Sequence, residues 1–388
     1  RAIADVRRWE ITSLETLAER KRALDALLLL SEEHPFDAAA LAAALQAYRA
    51  ADPTDVDARA ALVKFLRGAG QLEEAAALVR ESVRAAQDSE SRQAALTELA
   101  DIYDVGLRQD EPARAATLQI LELAQFDEVA IERLERIALR SGRSDWLVEA
   151  LEHRAKVVPD HELAEVSLRL GRLYDEPPGD PEAAMRAYAR VRKLRAGDTE
   201  SADALLRLYE AHSRPRELAA LLHDLIDETA EPEARVALLL RRARLLGDVL
   251  GDADEAADCY REVRTLREDD EALAALLTHA RSTDLHAELS ELLATRLGQP
   301  TSPEEAIELG MERATLLLDH LGDPREAERE LLAIREREPK FAPALARLGS
   351  LYLEEGNDEQ LAEVTEAHLA LMTHPVQRAA LAKRLFGL

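Results

Sequence analysis

The sequence predicts an all-α fold in which antiparallel helix pairs stack side by side into an α-solenoid. Three observations support this prediction. Apolar residues recur at the spacing of a helix, and no segment alternates as a strand does. Leu, Ala, Glu and Arg dominate the composition and are good helix formers. A set of small residues recurs every 71 or 72 residues, as expected of repeats that must stack to bury their apolar faces.

The repeat is anchored at Gly171, near the end of a predicted helix. Equivalent small residues lie at intervals of 71 or 72 residues: Ala100, Ala243 and Ala314. A second set recurs after 143 residues, or two periods: Leu205, Tyr209 and Leu218, then Leu348, Tyr352 and Leu361. One period therefore corresponds to a doublet of two helical hairpins.

The segment Leu170–Leu194 displays one hairpin most clearly. Its first helix ends at the turn Pro177–Asp180, because proline interrupts a helix and glycine favours a turn. Pro181 begins the second helix at a position where its missing N–H costs little. The turn glycine Gly179 recurs one and two periods later: Gly251 and Gly322.

The other predicted helices follow from the same signals. Six helices begin at a proline: Pro112–Gln125, Pro181–Leu194, Pro215–Glu228, Pro232–Val249, Pro303–His320 and Pro324–Arg337. The remaining ones are bounded by apolar spacing and turn residues: Asp37–Ala50, Val56–Arg67, Leu72–Ala86, Arg92–Val105, Glu128–Arg140, Asp145–Val157, Glu162–Tyr174, Glu200–His212, Asp254–Arg267, Glu271–Arg281, Leu285–Leu297, Ala342–Glu354, Glu359–Met372 and Val376–Phe386.

These helices predict a single continuous solenoid over residues 1–388, with an irregular N-terminal module at 1–36. No long linker or low-complexity segment interrupts the pattern. The chain begins at Arg1 without Met and ends within the first helix of a further hairpin. We therefore expect it to be a fragment of a longer protein, from a GC-rich bacterial genome by its Arg, Ala, Leu and Asp bias.

Several segments resemble tetratricopeptide repeats (TPRs): LGRLY, GDPEAAMRAY, GDADEAADCY and LGSLYLEEGN. They carry that family's Leu-Gly-x-x-Tyr, turn Gly, Ala and aromatic, and the resemblance extends from about Asp37 to the C-terminus. It implies a right-handed superhelix of about ten hairpins that binds proteins. Leu206 replaces the small residue in the second register, and Leu218 and Leu361 replace Ala. A half-TPR-like or other α-solenoid variant is the alternative subtype.

The composition limits the kinds of partner that the protein can bind. A formal net charge of −26 argues against binding to duplex nucleic acid, whose phosphates require Lys and Arg, and against anionic membranes. It favours basic partners. No apolar run is long enough to span a bilayer. Cys259 is the sole cysteine, so no internal disulfide forms, and the choice between cytoplasm and periplasm stays open.

No catalytic, metal or cofactor site is predicted. His279 and His286 flank Asp284, but a predicted turn separates them and no further Cys or His completes a zinc shell. We interpret them as solvated loop residues. The acidic turn at Asp52–Asp57 lacks the glycine and final Glu of a calcium loop, and is interpreted as turn and helix capping. Cys259 is interpreted as a structural thiol.

In repeats of this kind the first helix of each hairpin lines the concave surface, which makes its polar positions the candidate partner-binding groove. These positions hold ten acids and three arginines: Asp101, Asp104, Glu165, Arg172, Asp175, Asp203, Arg207, Glu210, Arg244, Asp248, Glu308, Asp319 and Glu354. One interpretation is a groove for a basic or amphipathic segment, with the arginines as anion hooks. The other is that the set merely samples an acidic protein.

The leading functional hypothesis is a non-catalytic scaffold that binds a protein or peptide and takes no cofactor. A second hypothesis is a regulatory or recruiting arm of a larger multidomain enzyme or signalling protein. A third is a structural spacer, or a self-associating component of a cell-envelope machine.

Overall fold

The computed structural model describes residues 11, 13–33, 38–372, 378 and 379. The predicted helix Val376–Phe386 and much of the N-terminal module lie outside these residues. Within them the chain forms twenty α-helices and no strand, which confirms the predicted all-α fold. The chain divides into two compact units, Arg1–Leu208 and Tyr209–Leu388. The prediction of one continuous solenoid remains a prediction.

The helices of the first unit are α1 (Leu17–Glu33), α2 (Ala38–Ala51), α3 (Val56–Gly68), α4 (Leu72–Ala85), α5 (Ser89–Asp101), α6 (Asp110–Leu123), α7 (Glu128–Ser141), α8 (Ser144–Arg154), α9 (Asp160–Asp175), α10 (Pro181–Leu194) and α11 (Thr199–Ala211), the last of which extends past Leu208. Those of the second unit are α12 (Pro215–Glu228), α13 (Pro232–Arg244), α14 (Ala253–Leu266), α15 (Asp270–Ser282), α16 (His286–Leu297), α17 (Pro303–Leu316), α18 (Pro324–Arg337), α19 (Ala342–Glu355) and α20 (Asp358–Leu371).

Helices that are consecutive in the chain pack against each other from α1 to α10 in the first unit and from α12 to α20 in the second. Odd-numbered helices are the first helices of hairpins, and even-numbered helices are the second. The bounds of α10, α12 and α18 agree with the predicted ones at both ends. This agreement follows from their proline at the first helical position and the turn residues that precede it.

The paired helices α9 and α10 cross closely at Gly171. Its position lies against the ring of Tyr188, and a Cβ added to Gly171 would be 2.7 Å from Tyr188 Cε1. The equivalent small residues are at most 1% exposed: Ala100, Ala243 and Ala314. The turn after α9 contains a cis Pro177–Pro178 bond, and Asp180 caps α10 by accepting from the Ala183 N–H at 3.0 Å.

Three first helices end in a wider helical turn that the sequence did not predict. The predicted helices Pro232–Val249 and Pro303–His320 are α-helical only to Arg244 and Leu316, and then continue as π-helix. The three π-helical segments are Ile102–Leu107, Leu245–Leu250 and Leu317–Leu321. The apolar pattern does not distinguish π from α geometry, since both bury the same side of the chain.

None of the helices in the described residues combines the length and apolar composition that crossing a bilayer requires.

Candidate functional site

The predicted groove residues lie on the odd-numbered helices or their π-helical ends, and we call the surface of these helices the first-helix face. Unlike the other predicted groove residues, Asp104 is buried, and only 1% of its side chain is exposed. Its carboxylate is held inside by Arg136 at 2.5 Å and Arg140 at 2.8 Å. Asp104 is therefore unavailable to a partner, contrary to its prediction as a groove residue.

In the first unit, ion pairs connect successive first helices. Arg172 of α9 forms a bidentate pair with Glu200 of α11, with both bonds at 2.6 Å. Arg207 of α11 pairs in the opposite direction with Asp175 of α9. One doublet earlier, Arg133 of α7 reaches Asp101 of α5 at 2.5 Å.

The second unit repeats this chemistry. Arg244 of α13 makes a bidentate pair with Glu271 of α15, one period after Arg172 and its Glu200. The remaining pairs of this face are Arg241–Glu210, Arg281–Glu312 and Arg347–Asp319. We call this series in each unit the first-helix ladder.

The ladder changes the meaning of the predicted set. Nine of its thirteen members are in ion pairs within the protein: Asp101, Asp104, Glu165, Arg172, Asp175, Arg207, Glu210, Arg244 and Asp319. The three arginines predicted as anion hooks already bind carboxylates. Within the described residues, four acids form neither a hydrogen bond nor an ion pair: Asp203, Asp248, Glu308 and Glu354.

The ladder also perturbs the titration of its members. The hydrogen bond from Arg172 lowers the pKa of Glu200, and that from Arg244 lowers the pKa of Glu271. Burial alone would raise the pKa of Asp104, but hydrogen bonds from Arg136 and Arg140 outweigh it, and the net shift is downward. These carboxylates are therefore charged at neutral pH.

One cavity lies on the first-helix face. It has a volume of about 520 Å³ and is lined by Arg67 of α3 and by residues of α5, among them Glu90, Glu98 and Asp101. Arg67 reaches Glu98 at 3.4 Å, and Asp101 is held by Arg133. Glu90 is exposed and forms no hydrogen bond or ion pair within the described residues. The three carboxylates face two guanidinium groups, those of Arg67 and Arg133, so the cavity keeps an excess of one negative charge, which Glu90 carries.

The histidines and the cysteine do not assemble a site. His279 is on α15, its side chain is 9% exposed, and it lies 3.5 Å from Asp254, so its interpretation as a solvated loop residue was wrong. His286 stacks on His320 with ring centroids 3.9 Å apart. Burial raises the pKa of the Cys259 thiol. Among the described residues, no group of three or more His, Cys, Asp or Glu side chains is arranged to hold a metal ion.

The predicted set contains both members of the Arg207–Asp175 pair, neither member of the Arg281–Glu312 pair, and one member of each other pair. It therefore missed most of the partners, such as Glu200 and Glu271. A signal was available: the paired residues on neighbouring first helices are separated by a narrow range, 28 residues for Arg172 and Glu200 and 32 for Asp175 and Arg207. The acidic turn at Asp52–Asp57 was read correctly, because Asp55 accepts from the Ala58 N–H and caps α3.

No family model matches the chain, and no curated protein matches it. Solved structures to which it is similar include a tetratricopeptide repeat protein from Parabacteroides merdae, at 14% identity and a TM-score of 0.29, covering 66% of this chain and 98% of that one. The P58(IPK) TPR domain shows 17% identity and a TM-score of 0.24, covering 86% and 99%. The structure of Naa15/Naa10 bound to HypK-THB shows 14% and 0.28, covering 96% and 83%.

Because all three TM-scores lie below 0.5, the assignment of the fold rests on the chain itself. Its small residues recur at the helix crossings, its turns recur between paired helices, and its hairpins stack within each unit. By these features the chain is an all-α helical-repeat protein.

Proposed function

We propose that the chain is a non-catalytic protein-binding scaffold whose first-helix face receives a basic segment of a partner protein. The observation that carries the proposal is the acidic cavity lined by Glu90, Glu98 and Asp101. The ladder around it fixes the spacing of successive first helices within the unit. A surface that is ordered before binding loses little conformational entropy when the partner arrives. A lysine or arginine of the partner would find carboxylates at a preset spacing.

The unpaired acids of the first-helix face support the same partner chemistry. Asp203, Asp248, Glu308 and Glu354 are exposed, and their charge is not neutralised by a neighbouring arginine. Attraction between exposed charges is screened within about 8–10 Å at ordinary salt. The acids should therefore act mainly on the rate of association, which long-range attraction steers.

The test uses a fluorescein-labelled Lys-rich peptide as the probe, with association followed by stopped-flow anisotropy at low and high salt. Reversing Glu90 and Glu98 together to Lys should slow association by about tenfold or more at low salt. The matched control reverses two exposed acids of second helices, Glu73 and Glu122, and should have a smaller effect. Asp104 is not a useful test position, because its reversal would bury an unpaired charge.

Two results would contradict the proposal. One is equal binding of the peptide at low and high salt, and the other is the same loss in both double variants. In either case the acidic bias would serve solubility rather than recognition. Far-ultraviolet circular dichroism of each variant verifies that its helices remain intact.

A further inference from the structure

A second cavity lies on the opposite helices of the first unit and has the opposite charge. It is located between the second helices α4 and α6, with α5 as its floor, and its volume is about 490 Å³. We call it groove A. Three exposed arginines line it, Arg80, Arg84 and Arg92, above the apolar side chains of Leu96 and Leu99. Of the described residues that line groove A, none is acidic.

The cations of groove A are not used within the protein. In the described part of the chain, the side chains of Arg80, Arg84 and Arg92 form no hydrogen bond or ion pair. Tyr103 also lines the groove, and its hydroxyl likewise has no partner among these residues. Most exposed arginines of the first-helix face, by contrast, pair with a carboxylate.

The groove recurs one period later. Groove B, of about 460 Å³, lies between α8 and α10 over α9 and is lined by Lys156, Arg186, Arg190, Leu170 and Tyr174. These residues include the equivalents of Arg84, Leu99 and Tyr103, displaced by 71 or 72 residues. It differs in that Glu152 lines it and accepts a hydrogen bond from the Tyr174 hydroxyl at 2.6 Å. Groove A therefore has the less satisfied set of donors.

The same positions in the second unit are closed by ion pairs. The floor residues Leu99 and Leu170 correspond to Arg242 and Arg313. Arg242 reaches Glu255 at 2.8 Å, and Arg313 reaches Glu326 at 3.1 Å. Groove A has Pro112 and groove B has Ala183 where these glutamates stand: Glu255 and Glu326. The doublets of grooves A and B thus have an apolar floor with unpaired cations, and the two doublets that contain Arg242 and Arg313 have an ion pair at the same positions.

We propose that groove A binds an acidic segment of a partner protein, with Asp or Glu side chains on its arginines and an apolar side chain against the partly exposed Val83 and Pro112 of its lining. Groove B is a weaker copy of the same site. Charge complementarity selects the acidic residues, and guanidinium groups suit carboxylates because they donate two parallel hydrogen bonds. The apolar lining selects the anchor, since an apolar side chain gains free energy when it leaves water.

A nucleic acid is the less favoured polyanion for two reasons. Single strands bind by stacking bases on exposed aromatic rings, whereas the ring of Tyr103 is only 9% exposed. The net charge of −26 also repels a long chain of phosphates along its whole length, whereas a short acidic segment brings only a few charges, close to the arginines. This site is independent of the basic-segment site proposed above, because it lies on other residues and takes a peptide of opposite charge.

The experiment measures binding of a fluorescein-labelled acidic peptide that carries two leucines one helical turn apart, and compares it with poly-glutamate and with a single-stranded DNA. The leucine-containing peptide should bind most tightly. Arg84→Glu with Arg92→Glu should weaken its binding by about tenfold or more, which corresponds to about 1.4 kcal/mol. The matched control, Arg216→Glu with Arg325→Glu, makes the same charge change at exposed positions of α12 and α18 and should leave the affinity unchanged.

A variant with unchanged net charge tests whether binding depends on the shape and lining of groove A rather than on the overall charge of the protein. Leu99→Arg with Pro112→Glu imports the ion pair that closes the equivalent positions of the second unit. It should abolish binding to groove A and leave only the weaker binding of groove B, while the net charge stays at −26. Thermal unfolding of the variant verifies its fold. The proposal is overturned if poly-glutamate or DNA binds as tightly as the leucine-containing peptide, if the closing variant binds normally, or if the control loses as much affinity. Concentration-dependent self-association that the groove variants abolish would identify a second copy of the chain as the occupant and overturn it too.

Discussion

At the scale of single residues, Gly171 illustrates how a repeat position is fixed by what faces it. A glycine in a helix interior normally costs about 0.5–1 kcal/mol relative to alanine. At this position the glycine is required, because the Tyr188 ring occupies the space that a Cβ would take. Gly349, in α19, is the opposite case, since an added Cβ would meet nothing within 4 Å.

We therefore expect Gly171→Ala and Gly349→Ala to change stability in opposite directions. Gly171→Ala should lower the free energy of unfolding by about 1–3 kcal/mol through overpacking, and Gly171→Arg should lower it further. Gly349→Ala should raise it by about 0.5–1 kcal/mol. Urea titrations measure both, and a gain in stability for Gly171→Ala would show that Tyr188 moves aside freely. Arg172→Ala, which removes only an exposed ion pair, should cost about 1 kcal/mol or less.

At the scale of elements, the first-helix ladder joins helices that are not consecutive in the chain. Asp104, which is buried on the same face and pairs with Arg136 and Arg140, should have the clearest effect on the free energy of unfolding. Its pKa is lower in the folded protein than in the unfolded chain, so its charged form stabilises the fold at neutral pH. This stabilisation is lost as the pH falls through the folded pKa.

Asp104→Asn should reduce the free energy of unfolding at pH 7 by about 1–3 kcal/mol, because a charged acceptor of two arginines is removed. Below about pH 4 the difference between the variant and the original protein should narrow, since Asp104 is then increasingly protonated. Denaturant titrations across this range make the measurement. Asp203→Asn, at an exposed and unpaired acid, is the control. A constant difference at every pH would exclude ionisation of Asp104 as the cause.

The helices were far more predictable than the contacts between them. Pro181, Pro215 and Pro324 marked helix starts that agree with the structure, because proline at the first helical position is a local signal. The π-helical ends after Arg244 and Leu316 have no comparable local signal. Groove A was missed for a different reason. Arg80, Arg84 and Arg92 lie on two helices, and whether a carboxylate reaches them depends on helix rotation rather than on sequence spacing.

At the scale of the whole molecule, the stability of each hairpin should depend mainly on the hairpins next to it. In a stacked repeat each hairpin contacts only its neighbours, so damage at one position spreads only a short way. This expectation applies to each unit of the chain, since consecutive helices carry its packing.

Gly171→Arg should therefore lower amide hydrogen-exchange protection in α9, α10 and the adjacent hairpins, and leave α15–α18 of the second unit protected. Exchange measured by mass spectrometry on peptides from the native protein gives this profile. A uniform loss of protection over both units would instead indicate that the chain unfolds as one cooperative body.

The equivalence of Arg172–Glu200 and Arg244–Glu271 has a further consequence for how such a chain changes over evolutionary time. These two doublets use the same donor and the same acceptor, whereas Asp101 and Thr315 occupy the position of the arginine in the doublets on either side. A duplication or deletion of one whole period between these two doublets would bring an arginine and a glutamate together at the new junction and leave neither side chain without its partner. The number of doublets can thus vary by recombination, while the acquisition of a new ligand requires substitutions inside a single doublet, as the contrast between Leu99 and Arg242 illustrates.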